Sequence, residues 1–296
     1  MPRPRPVIAD QFYMITRRCS QRMFLLHPDR ATRNAFIYCL GLAAQLCGIE
    51  VLGTCAMSNH HHTVIYDRHG LYPLFIEHFH KLVARSQNVL RRRRENFWAA
   101  TQCSVVRLLD REAVMEKLVY CLTNPVKDRL VAKVHQWPGA NSYVAMRKGE
   151  PLRAERPRHF FRKDGAMPEA VEVELTLPEL LGERSAVVCE LVERVRVIEQ
   201  SCAETRHASG CRVIGRREIL EESWTDTPTS EEPRSELLPM VASRDREVRL
   251  KALSELSAFR NAYCRARDAL LRGATAIFPL GTYWLQRFAA VPLADA

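Results

Sequence analysis

Residues 58–67 read SNHHHTVIYD, three consecutive histidines running into β-forming residues. Imidazole ligates several first-row metals, so the chemistry this stretch first suggests is metal binding. In a strand, alternate side chains share a face. His60 and His62 would then point together, and His61 to the other side. Two imidazoles at that spacing can hold one divalent ion when a neighbouring element supplies the remaining ligands. Spacing alone does not name the ion, and a short H-x-H also suits a polar turn whose histidines are merely solvated.

The elements that would position these histidines alternate along the first half of the chain. Gln11–Cys19 is rich in β-formers, and residues 29–48 carry apolar residues at helical spacing before Gly48. Residues 50–58 and 60–67 read as two strands joined tightly around Ser58 and Asn59. A long helix is expected over 74–98, a short strand over 104–110, and a helix over 112–124 stopped by Pro125. Strand, helix, strand, strand, helix, strand is the split βαβ order of ferredoxin-like folds. The expected class is therefore α+β, with residues 1–145 as one domain.

In this context the sequence resembles the single-tyrosine HUH transposases of small bacterial insertion sequences, particularly their relatives associated with repetitive extragenic palindromes. MSNHHHTVI (57–65) stands where that family carries its H-U-H strand, and KLVYCLTNPVKDRLVAKVHQWPGANSY (117–143) is similar to its NPV-containing segment. The resemblance spans about residues 10–145. It implies that His60 and His62 bind Mg²⁺ or Mn²⁺ beside the scissile phosphate of single-stranded or hairpin DNA. It also implies a third ligand on the helix that carries a nucleophilic tyrosine. Gln87 or Asn88 matches that ligand on the 74–98 helix, yet this helix contains no tyrosine. Ser86 lacks the acidity of a phenol. Tyr13, Tyr66, Tyr72 and Tyr120 fall on other elements, with Tyr120 read as packing, so the nucleophile stays unassigned.

The rest of the chain is less specific. Lys and Arg number 44 against 34 acidic residues, a net charge of +10 that favours a polyanionic partner. Arg17 and Arg18 beside the first strand, and Arg91, Arg92, Arg93 and Arg94 near the end of the long helix, are the candidate phosphate contacts. Residues 146–181 read as a basic linker in which Phe160 and Phe161 dock to the core, and 182–296 as a mostly helical C-terminal region. There, residues 223–239 are turn-rich, and Tyr283 and Trp284 read as tail anchors. The ten cysteines show no C-x-x-C pair, which suits reduced thiols. No apolar run approaches a membrane span, so a cytoplasmic location is expected and no membrane partner. The oligomeric state is open, with a homodimer as one option. Three functions follow: metal-dependent nicking and strand transfer, a domesticated DNA-binding protein without nicking, and metal-assisted hydrolysis by water.

Overall fold

The computed structural model describes residues 4–230 and 239–294. It has mixed α+β architecture around a five-stranded sheet. β1 (Gln11–Arg18) leads through a short loop into α1 (Arg30–Cys47), followed by β2 (Glu50–Ala56) and β3 (His60–Asp67). α2 (Tyr72–Leu90), β4 (Ser104–Leu108) and α3 (Arg111–Lys127) complete the first part. Then come α4 (Tyr143–Lys148), β5 (Leu152–Glu155), β6 (Ala170–Val173), α5 (Arg184–Ala208), α6 (Arg216–Glu221), β7 (Val241–Ala242), α7 (Arg246–Leu271) and α8 (Trp284–Ala289).

The strand order is β2-β3-β1-β4-β7. β1 sits between β3 and β4 and is antiparallel to both, whereas β7 joins β4 in parallel. Register places Arg18 opposite His60, Arg17 opposite His61 and Thr16 opposite His62. α1 and α2 pack together on one face of the sheet, where Phe36 and Phe79 meet the His61 ring. α3 covers the other face, across β2 and β3.

Local sequence explains these positions. Asp29 caps α1 by accepting from Thr32 N, and Asp110 caps α3 by accepting from Ala113 N. Gly48 ends α1 at φ 61°, a left-handed turn that glycine adopts without a Cβ clash. Gly53 of β2 serves a different need. A Cβ there would lie 2.9 Å from Leu118 Cδ2, so the missing side chain lets α3 approach the sheet closely.

Two expected boundaries move. α2 stops at Leu90 rather than reaching 98. Arg92 turns left-handed at φ 53°, the Asn88 side chain holds the Glu95 carbonyl, and the chain folds back to bury Phe97 and Trp98. The four arginines therefore lie past the helix. α3 does not stop before Pro125 but includes it. The proline sits in the last turn, where it removes one backbone bond from a helix about to end.

Residues 146–181 hold a two-stranded hairpin, β5 with β6, laid against α1. Gly41 of α1 lies directly under Val171 and Val173, and Phe161 packs on Tyr38 with ring centroids 5.2 Å apart. α5 is long, as expected, and packs along α3 through buried Val187, Leu191 and Val195. Of the turn-rich stretch 223–239, residues 231–238 lie outside the described residues. In the tail the buried anchor is Phe278, whereas Trp284 is 42% exposed and stacks on Phe288. Cys19, Cys39, Cys55 and Cys121 are buried, and burial pushes their thiols up, away from reactivity. Among the described residues, no helix is long and apolar enough to cross a membrane.

Candidate active site

The alternation along β3 separates its three histidines. His61 faces α1 and α2, in a buried pocket formed with Phe36, Phe79, His80 and Trp98. His60 and His62 turn to the opposite side, with ring centroids 4.8 Å apart. His62 is buried beneath α3 and His60 half-buried at the start of the strand.

Hydrogen bonds select the tautomer of each ring. Asn59 Oδ1 lies 2.6 Å from His60 Nδ1 and must accept, because a side-chain carbonyl has no proton to give. His60 Nε2 then keeps its lone pair. Asn124 Nδ2 donates to His62 Nε2 at 3.1 Å, and His62 Nδ1–H donates to Thr16 Oγ1 at 2.7 Å. Both imidazoles are held neutral. Burial, then the Arg18 charge, lowers His60 to about 4. Burial, then the neighbouring histidines and Lys117, holds His62 well below its ordinary value. Neutral rings oriented by a second hydrogen bond are what metal ligation requires.

The face of α3 that meets this pair carries Lys117, Tyr120, Asn124 and Lys127 at helical spacing. The Tyr120 ring packs on His62 with centroids 5.1 Å apart, yet the residue remains 38% exposed. The ring is thus held against His62 while part of the residue stays exposed. Lys127 and Lys117 place their ammonium groups 5.1 and 5.9 Å from the tyrosine ring. The phenol itself is raised by burial and by Asp128, with the Asn124 hydrogen bond opposing.

Gln87 and Asn88 are not brought to the histidine pair. Both belong to α2, on the face that His61 occupies. Gln87 is buried and accepts from Thr32 Oγ1 at 3.2 Å, and Asn88 binds the Glu95 carbonyl. The polar group that reaches His62 is Asn124 instead. Its Oδ1 is buried without a hydrogen-bond partner, and half a turn of the amide would direct that oxygen at the imidazole side. No group of three or more His, Cys, Asp or Glu is placed to hold a metal among the described residues. His60, His62 and Asn124 are the polar groups that meet here, with His62 Nε2 held by the Asn124 amide.

The arginines divide between the two faces. Arg18 lies opposite His60 and its charge acts on that ring. Arg17 donates to His80 Nδ1 at 3.1 Å and lies over Trp98, on the His61 side. Arg91 pairs with Asp29 at 2.9 Å, and Arg93 lies over Trp224 and near Met23. Arg92 and Arg94 are exposed.

Comparison with known proteins adds a modest likeness. A REP-associated tyrosine transposase bound to a REP hairpin superimposes with a TM-score of 0.43 at 14% identity, covering 61% of this chain and 96% of that one. A candidate transposase from Deinococcus radiodurans gives a TM-score of 0.28 at 17% identity, over 36% of this chain and 85% of that one. No family model and no curated protein matches the sequence. The function therefore has to be argued from the chain's own geometry.

Tyr120, read from the sequence as packing, does pack, and its partner is His62. The spacing Tyr120-x-x-x-Asn124 within one helix puts the two side chains on a common face.

Proposed function

We propose that the protein nicks and rejoins single-stranded or hairpin DNA by the single-tyrosine HUH route, on a ferredoxin-like scaffold, with Tyr120 as nucleophile. The observation that carries this reading is the junction of α3 and β3. A partly exposed tyrosine packs on a neutral, tautomer-locked histidine, and an amide with an unpartnered oxygen stands one turn further along the same helix. The strand order β2-β3-β1-β4, with α1 and α2 on one face, supports the split βαβ scaffold.

His60, His62 and Asn124 would hold Mg²⁺ or Mn²⁺, which supplies Lewis-acid polarisation of the scissile phosphate and charge stabilisation on its non-bridging oxygens. The chain's own groups do the rest. Tyr120 Oη attacks phosphorus as its proton leaves to solvent, a P–O bond to the phenol forms, and the bond to the 3′ oxygen breaks. The products are a 5′-phosphotyrosine and a free 3′-OH. Attack by another 3′-OH reverses the step and releases the phenol, so phosphodiester bonds are exchanged without an external energy source. Lys117 and Lys127, beside the Tyr120 ring, would meet phosphate oxygens of the bound strand. Arg18 beside His60 is positioned to meet a phosphate oxygen.

A labelled single-stranded hairpin incubated with Mn²⁺ tests the proposal. The wild type is expected to give a denaturation-resistant protein–DNA adduct and a nicked product. Tyr120→Phe should abolish the adduct while binding the hairpin as before, and His60→Ala with His62→Ala should abolish cleavage in a folded protein. An adduct surviving in Tyr120→Phe would overturn the nucleophile assignment. Cleavage without any adduct would favour water as nucleophile, and binding alone would favour the domesticated form.

A further inference from the structure

On the layer opposite the candidate active site, α1 and the β5–β6 hairpin enclose an open groove of about 790 Å³. Its floor is apolar, with Ile37, Ala154 and Val171, and its rim is cationic. Two of the rim arginines are committed to the fold. Arg156 is buried and donates to the carbonyls of Lys163, Gly165 and Met167 and to Glu169, while Arg153 pairs with Glu172 at 2.9 Å. Three others, Arg30, Arg33 and Arg158, are exposed, and their side chains have no hydrogen bond or ion pair among the described residues. Glu155 is the one lining carboxylate without a cationic partner, so the groove carries a surplus of positive charge.

The placement of two of these arginines is locally unfavourable. Arg30 and Arg33 occupy the first turn of α1, which contains no acid. The positive end of a helix dipole disfavours cations there. Asp29, the N-cap carboxylate, is already taken by Thr32 N and Arg91. An element that breaks a local rule without internal compensation is accounted for when a ligand supplies the missing charge.

The groove includes the first turn of α1, which the chain enters from the end of the sheet where β3 begins. The loop that follows Arg18, the register partner of His60, runs directly into Arg30. That loop is tied to the β2–β3 turn by Cys19 N to Asn59 O and Leu26 N to Ser58 O. On the far side, His159 of the groove bonds Ser86 near the end of α2. We propose that this groove binds the phosphate backbone of a single DNA strand leading away from the active-site end, a reading that rests on the function proposed above. His159, bonded to Ser86, is the one aromatic ring of the lining, so recognition here is chiefly of phosphate and carries little sequence information.

Fluorescence anisotropy on the full chain tests the groove with two probes, a labelled hairpin without flanks and the same hairpin carrying a thymidine flank, titrated across NaCl concentrations. Arg30→Ala/Arg33→Ala/Arg158→Ala should bind the bare hairpin as the wild type does and lose the extra affinity for the flanked one. Its slope of log K against log salt on the flanked probe should fall by about two, at ~0.7 per single-strand phosphate contact. An unchanged slope and affinity on the flanked probe would overturn the proposal. Equal loss on the bare hairpin would do so too, since the arginines would then serve the duplex or bulk charge. Arg158→Glu alone, on an exposed loop position, should weaken flank binding and keeps the test decisive if the triple variant melts. The active-site proposal is read separately. Wild-type protein with flank-dependent binding but no adduct would defeat strand transfer and leave the groove standing, and an adduct without flank dependence would do the reverse.

Discussion

His61 shows how a polar residue can occupy an apolar core without a charge. Arg17 donates to His80 Nδ1, so His80 Nε2–H must donate to His61 Nε2, 2.9 Å away. His61 Nδ1–H then donates to Thr63 Oγ1, Thr63 to Thr54 Oγ1, and Thr54 to the His62 carbonyl. Every proton in this relay has one allowed direction, and it ends on the backbone of a proposed ligand. His80→Leu strands the Arg17 and His61 groups and is expected to cost about 1–3 kcal/mol, read as a lower urea midpoint; an unchanged midpoint would show that the relay adds nothing. The same burial gives a pH signature. His60, His61, His62 and His80 are all lowered, first by burial, so the unfolded chain takes up protons before the folded one does. Their contribution is complete above the unfolded value near 6.5 and is lost as pH falls below it, by roughly 1.4 kcal/mol per pH unit for each histidine. Thermal melts between pH 7 and 5 should shift steadily downward, and a flat profile would contradict neutral histidines in the core.

At the scale of elements, the candidate site depends on how closely α3 lies against β2 and β3. Gly53→Ala places a methyl against Leu118, and overpacking of this kind costs about 1–3 kcal/mol. Because α3 also carries Tyr120 and Asn124, the substitution should reduce adduct formation more than hairpin binding. Equal loss of both would indicate general unfolding instead. The strand and helix order was legible because β-formers alternate around His60 and helical spacing is strong in α1 and α2. What the sequence hid was a matter of faces. Pro125 reads as a stop although it sits inside the last turn of α3, and Gln87 and Asn88 read as ligands although their helix packs on the His61 face. Only three-dimensional placement shows that α2 lies across the sheet from His62, which leaves Gln87 with Thr32 and Asn124 with the histidine.

Across the whole molecule, residues far along the chain brace the site. α5 lies along α3, and Arg194 makes two hydrogen bonds to Glu112, at 2.8 and 2.7 Å, near the start of that helix. Leu191 of α5 is 1% exposed in the shared core. Leu191→Ala should lower stability by about 2–5 kcal/mol, measurable by calorimetry, and a shift within error would show that α5 merely rests on α3. The parallel pairing of β7 with β4 has a consequence for biogenesis. A ribosome releases β1 to β4 early, yet the outer margin of β4 stays bare until Val241 and Ala242 have emerged. Until then the nascent chain presents an open hydrogen-bonding edge, a ready target for a chaperone or for a neighbouring nascent copy.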